Sequence, residues 1–182
     1  MPLSLRSLPR LLPVLLLPLL FGCGPGRNEF APVCPNPIFL RELSDLTRYR
    51  PGSAGRDLTD LVLQAKLTSL RGECRPGSRT GTLDTTITVT MEVARGPAML
   101  DPNTELPVFV AVTEGEEILN KQIYPVQVTF PSALGRVNVA TPPLELTLPV
   151  GANRSGAAYG IIVGFQLTPE ERETNRHRSG LR

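Results

Sequence analysis

Between Leu83 and Val93 the chain alternates apolar and polar side chains, and this two-residue period is the tightest constraint on what it can become. Leu83, Ile87, Val89, Met91 and Val93 fall on one face, with Thr86, Thr88, Thr90 and Glu92 on the other. Successive side chains of a strand point to opposite sides, so the stretch reads as a strand covered on one face and wet on the other. Leu61, Leu63, Ala65 and Leu67 repeat the pattern against Gln64, Lys66 and Thr68. Pro76 and Gly77, within Arg75–Thr80, supply a turn between these two runs, which predicts an antiparallel pair.

Further strands follow, most of them with the same period. Leu106 to Val112 is almost continuously apolar and suits a central strand, and Glu114 to Glu117 reads as a turn. Tyr124, Val126, Val128 and Phe130 then resume the alternation. Pro125 has no N–H for a ladder, so it needs the opposite face, an edge or a bulge. Val137 and Val139, continued by Leu144, Leu146, Leu148 and Val150, read as one strand with prolines at its ends. Tyr159, Ile161, Val163, Phe165 and Leu167 form the last; Gly160 and Gly164 make its other face either a close packing surface or weak sheet. Near the start, Asn36-Pro37 followed by Phe39, Leu43 and Leu46 suggests a short capped helix, with a strand over Leu46–Arg50 as the alternative. Pro51 to Arg56 is a loop. About seven strands separated by turns predict an all-β fold, an immunoglobulin- or fibronectin-like antiparallel β-sandwich over residues 37–169. The missing tryptophan and the cysteine spacing argue against a true antibody-type domain.

The N-terminus carries a different signal. Arg6 and Arg10 precede an apolar run from Leu11 to Gly22 that is too short to cross a hydrocarbon core of about 30 Å as a helix. Residues 1–22 therefore read as a cleaved export signal. Leu20, Gly22 and Cys23 resemble the end of bacterial lipoprotein signals, although Phe21 is bulkier than the residue usual there. That resemblance implies diacylglycerol on the Cys23 thiol, cleavage before it and a further acyl chain on the new amino group. Two or more chains make anchoring stable, at about 0.8 kcal/mol per buried CH2. The alternative is an ordinary secretory signal with a chance cysteine. Residues 23–36, with Pro25, Pro32 and Pro35, then form a short tether.

Cleavage would also remove the apparent basicity. Of 19 Lys and Arg, only Arg6 and Arg10 leave, so 17 basic residues remain against 17 Asp and Glu. A near-neutral domain without basic runs or interleaved aromatics disfavours nucleic-acid binding. With Cys23 lipidated, Cys34 and Cys74 are left as an even pair in an oxidising compartment, which predicts a disulfide; two separate thiols are the alternative. Closing that loop would contribute on the order of 4 kcal/mol.

The catalytic inventory is thin. His177, the one histidine, lies in the polar C-terminal segment, so Ser-His-Asp and Cys-His mechanisms lack their base and a His-ligated metal lacks its ligands. Asp57 with Asp60, and Glu114 with Glu116 and Glu117, are the candidates for carboxylate chemistry or calcium, and both groups fall where exposed loop charges are expected. Gly52 and Gly55 lack the Lys and Ser/Thr of a phosphate loop, and Asn153-Arg-Ser155 matches a glycosylation acceptor that means little in a bacterial setting. No catalytic residue, metal ligand or cofactor is assigned. Thr168-Pro-Glu-Glu171 predicts one helical turn, and residues 170–182 a polar, basic tail. Arg176, His177, Arg178 and Arg182 in that tail read as a solvated end, or as a contact for anionic lipid.

Cys34-Pro35, the stretch Leu46 to Asp60, Cys74 and the ending Tyr159 to Glu170 are similar to a group of uncharacterised lipoproteins of Gram-negative proteobacteria. The resemblance implies a lipid-anchored envelope protein without supplying an activity. Gly24 after the lipidated cysteine implies sorting to the outer membrane, facing the periplasm. The expectation is a non-enzymatic envelope module, bound to the membrane by its lipid and to an envelope protein by loops or a strand edge. The competing expectations are a carboxylate-based enzyme or carbohydrate-binding domain, and a ligand-holding β-barrel.

Overall fold

The computed structural model describes residues 33–52 and 57–179. The expected export signal, Cys23, the expected tether up to Pro32, the loop residues Ser53 to Arg56 and the terminal Gly180 to Arg182 lie outside the described residues. Two sheets face one another. One carries β1 (Pro37–Phe39), β9 (Tyr159–Phe165), β5 (Asn103–Glu114) and β6 (Glu117–Thr129) in that order. The other carries β2 (Asp45–Tyr49), β3 (Leu61–Pro76), β4 (Thr82–Arg95) and, along the far side of β4, both β7 (Arg136–Ala140) and β8 (Leu144–Pro149). Every pairing is antiparallel except that of β1 with β9.

The expected all-β sandwich is thus present, open at its sides rather than closed into a barrel, with nine strands among the described residues where about seven were expected. Its order is its own: β3–β4 and β5–β6 are hairpins that each stay within one sheet, and the later strands cross back and forth. An immunoglobulin domain splits its strands ABED and CFG instead. The core lies between the sheets, filled by Leu63, Ile87, Val89 and Met91 from one side and Leu106, Val108, Val110, Ile161 and Phe165 from the other.

Two departures raise the strand count. The helix expected after Asn36 is instead β1, a single 3-10 turn at Arg41–Leu43 and β2; the alternative strand reading of this region holds. β1 and β2 belong to different sheets, so the apolar residues there serve two surfaces and mimic helical spacing. The single strand expected from Val137 to Val150 is broken by Thr141-Pro142-Pro143 into β7 and β8. Thr141 repairs the ladder at the break, its N–H donating to Val89 O at 2.9 Å and its Oγ1 accepting from Val89 N at 3.1 Å.

Bulges and glycines set the remaining geometry. Thr68 is the extra residue of a bulge in β3, so the inward face moves from Leu63, Ala65 and Leu67 to Leu70 and Cys74. Gly115 opens the two-residue β5–β6 turn at φ +58°, with Glu116 not at positive φ, the pattern of a type II′ hairpin. Gly164 resolves the question of the glycine face. A Cβ there would lie 2.8 Å from both the Phe109 ring and Leu43 Cβ, so this is a close packing surface.

The C-terminal segment corrects another expectation. α1 runs from Pro169 to Ser179, well beyond one turn, and it is docked rather than trailing in solvent. Its start is the predicted capping box: Thr168 Oγ1 accepts from Glu171 N at 3.2 Å, and Thr168 N donates to Glu171 Oε2 at 2.9 Å. Glu171, Thr174 and Asn175 are buried. Arg48 Nε on β2 donates to Glu171 Oε1 at 3.1 Å, and Asn175 Nδ2 donates to Glu42 O and Asp45 O at 3.0 and 2.6 Å. A helix attached through polar groups has no apolar stripe for a periodicity argument to detect. Among the described residues no helix is long and apolar enough to cross a membrane.

Candidate functional site

Cys34 and Cys74 are disulfide-bonded, with Cα atoms 5.8 Å apart. Cys34 precedes β1 and Cys74 lies near the end of β3, so the bond ties one sheet to the other at the point where the chain enters the domain. The acidic candidates are dispersed in local roles. Asp57 accepts from Thr59 N at 3.2 Å as the cap of a 3-10 turn, and Asp60 faces Arg50 at 3.8 Å. Glu114, Glu116 and Glu117 surround the β5–β6 turn, where Glu114 pairs with Arg154. His177 lies 3.0 Å from Glu173 on α1. Among the described residues no three His, Cys, Asp or Glu side chains converge as a metal site would require.

The structure brings together a different set of residues along one open side. Between β6 and β8 run two adjoining hollows of about 370 and 470 Å³ that share Gln122 and Glu145. The first is floored by Val112, Leu146, Leu148 and Tyr159 and rimmed by Leu119, Asn120 and Thr147. The second is lined by Tyr124, Pro125 and Val126 on one side and Thr141 to Leu144 on the other.

The register explains why this side is open. Odd residues of β5 turn their backbone toward β9, because Gln166 N donates to Pro107 O at 2.8 Å; even residues therefore bond to β6. Pro107 and Pro125, directly opposite, form a non-hydrogen-bonded pair in which neither missing N–H interrupts the β5–β6 ladder. Pro125 thus sits on an edge, one of the options its sequence left open. The same alternation turns the N–H and C=O of Lys121 and Ile123 outward, beyond the last strand of the sheet. On the core face, Val126 and Val128 are buried but Asn120 and Gln122 are polar and exposed, so the sandwich stops being filled about halfway along β6.

Arg154 closes one end of the groove. Its Nη2 donates to Glu114 Oε2 at 3.0 Å and its Nη1 to Tyr159 Oη at 3.4 Å, while Tyr159 Oη donates to Pro149 O at 2.6 Å. The bond to Tyr159, then the Glu114 charge, raise the guanidinium pKa above its ordinary value. Tyr124 donates to Gln122 Oε1, and partial burial pushes its phenol above the usual value of 10.0. Glu145, in the wall of both hollows, has no ion-pair or hydrogen-bond partner among the described residues. Lys121 lies over the Phe109 ring, 4.4 Å from its centroid, on the sheet's outer face.

This arrangement offers surface and backbone hydrogen bonds rather than a nucleophile beside a base. Its residues carry no motif, and sequence reasoning missed it as a site. One signal was present: Asn120 and Gln122 are polar at positions where the alternation of Tyr124, Val126 and Val128 calls for core residues. No family model matches the chain, and neither curated proteins nor solved structures give a significant match.

Proposed function

We propose that this chain is an exported protein, lipid-anchored through Cys23 and facing the periplasm of a bacterial envelope, where it acts as a non-enzymatic binding or structural module. The observation that carries the reading is the Cys34–Cys74 bond, because disulfides persist in oxidising compartments and are rare in the cytosol. It leaves Cys23 as the odd cysteine, at the end of an export-type signal. The bonded Cys34 also limits the tether. Residues 24–33 fully extended reach about 35 Å, so the domain works close to the bilayer that holds its lipid. Gly24 favours the outer membrane. An envelope protein is the partner class that fits a module presenting an open sandwich edge.

The test is a Cys23→Ser variant expressed in a Gram-negative host with a radiolabelled fatty acid. Loss of label and release from the membrane fraction are the expected results. Retained label or unchanged membrane partitioning would overturn the lipoprotein reading.

A further inference from the structure

Resting on the lipid-anchor reading and deepening it, we infer that the outer face of the β1-β9-β5-β6 sheet lies against the phospholipid surface that holds the acyl chains. The two outer faces of the sandwich differ in kind. On the sheet of β3 and β4 the register places Lys66, Arg71, Thr88, Glu92, Asn138 and Glu145 outward, as a face in water requires. On the other sheet, Ile38, Ile162, Ala111 and Lys121 form one outward row across all four strands, and Gly164, Phe109 and Ile123 form the next. Ile118, opposite Thr113, continues the face toward the β5–β6 turn. Phe109 and Ala111 are buried beneath their neighbours, but Ile38 is 48%, Ile123 53% and Ile118 62% exposed. An apolar belt that crosses a whole sheet and meets water is a contact surface, unlike apolar residues scattered singly.

Two observations say what covers it. The first is where the chain enters. Val33 O lies so close to Gly156 that a Cβ on that glycine would stand 2.0 Å from it, and Cys34 leads into β1, the edge strand carrying Ile38. Gly156 precedes β9, whose first residue Tyr159 is level with Glu114 and the β5–β6 turn. The chain from Cys23 therefore joins the domain at the end of the apolar face where Ile118 lies. Residues 24–33 reach about 35 Å when extended, against roughly 15 Å across four strands, so the anchor permits this face to lie flat on the bilayer. The second observation is charge. Lys121, between Ile118 and Ile123 on β6, has no carboxylate partner among the described residues, and its ammonium sits 4.4 Å from the Phe109 centroid. A lysine stem laid along apolar side chains, with its charge at the rim, is suited to lipid phosphate at an interface. Glu105, which shares the face, lies at the far end of β5 and accepts from Gln127 Nε2 at 2.7 Å. A second copy of this chain fits less well, because a two-fold contact through this face would bury both unpaired lysines in an apolar interface.

The chain contains no tryptophan, so a single introduced indole reports its own depth. Ile123→Trp and, independently, Ile118→Trp probe the apolar face, and Thr88→Trp probes the polar one. Each protein, expressed from the full chain and purified with its acyl chains, is reconstituted on vesicles of phosphatidylethanolamine and phosphatidylglycerol, with or without lipids brominated high on the acyl chain. Indoles at positions 118 and 123 should lose about half their fluorescence to the brominated lipid, and the indole at position 88 very little. Lys121→Glu added to Ile123→Trp should reduce that quenching about twofold, while flotation with the vesicles, carried by the acyl chains, stays unchanged. Absence of quenching at 118 and 123, or equal quenching at all three positions, overturns the proposal. So does shielding of position 123 from aqueous acrylamide without quenching by brominated lipid, together with a doubled mass in detergent, which would assign the face to a second copy. Flotation without quenching fails the face and keeps the anchor. Quenching in a chain that takes up no acyl label keeps the face and fails the anchor.

Discussion

The two sides of this sandwich are finished in opposite ways. On the side of β2, the edge is covered by α1, whose Glu171 and Asn175 bond to Arg48, Glu42 and Asp45, and the disulfide clamps the nearby entry of the chain to β3. On the side of β6 and β8, edges remain unpaired, prolines interrupt them, and a groove penetrates between the sheets. Edge strands are a hazard for uncontrolled pairing, and proteins usually cover or interrupt them. Here one side is covered outright while the other is only punctuated by prolines. The closed side is held by polar bonds and a disulfide, whereas along the open side β6 and β8 have no strand beyond them among the described residues.

The contrast can be broken most forcefully at the closed side. Replacing Cys34 and Cys74 together by Ser should cost on the order of 4 kcal/mol, because a loop of 40 residues is released in the unfolded chain. Urea denaturation of the two proteins checks this, and a midpoint that does not move would show that the sheets hold without the clamp. Glu171→Ala should cost about 2 kcal/mol, since it removes half of a capping box together with a part-buried charged hydrogen bond to Arg48. Amide exchange should then rise along α1 first. At the open side, Ile118→Thr and Ile123→Thr should each change stability by less than about 0.5 kcal/mol. Thermal melts of these variants sharpen the comparison: a large loss at either position would mean that this edge is structural after all.

Legibility followed the physics of each region. The inward faces of the first half of β3 and of β4, β6 and β9 were readable because burial on one side of a pleated strand imposes a period of two on the residues themselves, while β5 was readable only as a continuous apolar run. The capping box at Thr168 was readable because its partners are three residues apart. The docking of α1 was not, because Asn175 bonds to carbonyl groups of residues 42 and 45, which carry no side-chain signature. The groove was half legible. Asn120 and Gln122 break the alternation of β6, but the same break would appear in a strand that simply ran past its sheet.

By itself the sequence determined the class of the fold, the faces of its main strands, and the pair of cysteines left to bond once Cys23 is set aside. These are local or compositional properties, and chain chemistry within a few residues is sufficient for them. The β3–β4 antiparallel pair was foreseen from its turn, but the tertiary structure alone decided that the β3–β4 and β5–β6 hairpins lie in separate sheets, that β1 runs parallel to β9, and that Thr141-Pro142-Pro143 divides one apparent strand into two along β4. It also decided which edges stay open. Pairing partners are chosen by how faces from distant segments fit together, and an alternating strand offers the same face to any partner that can cover it.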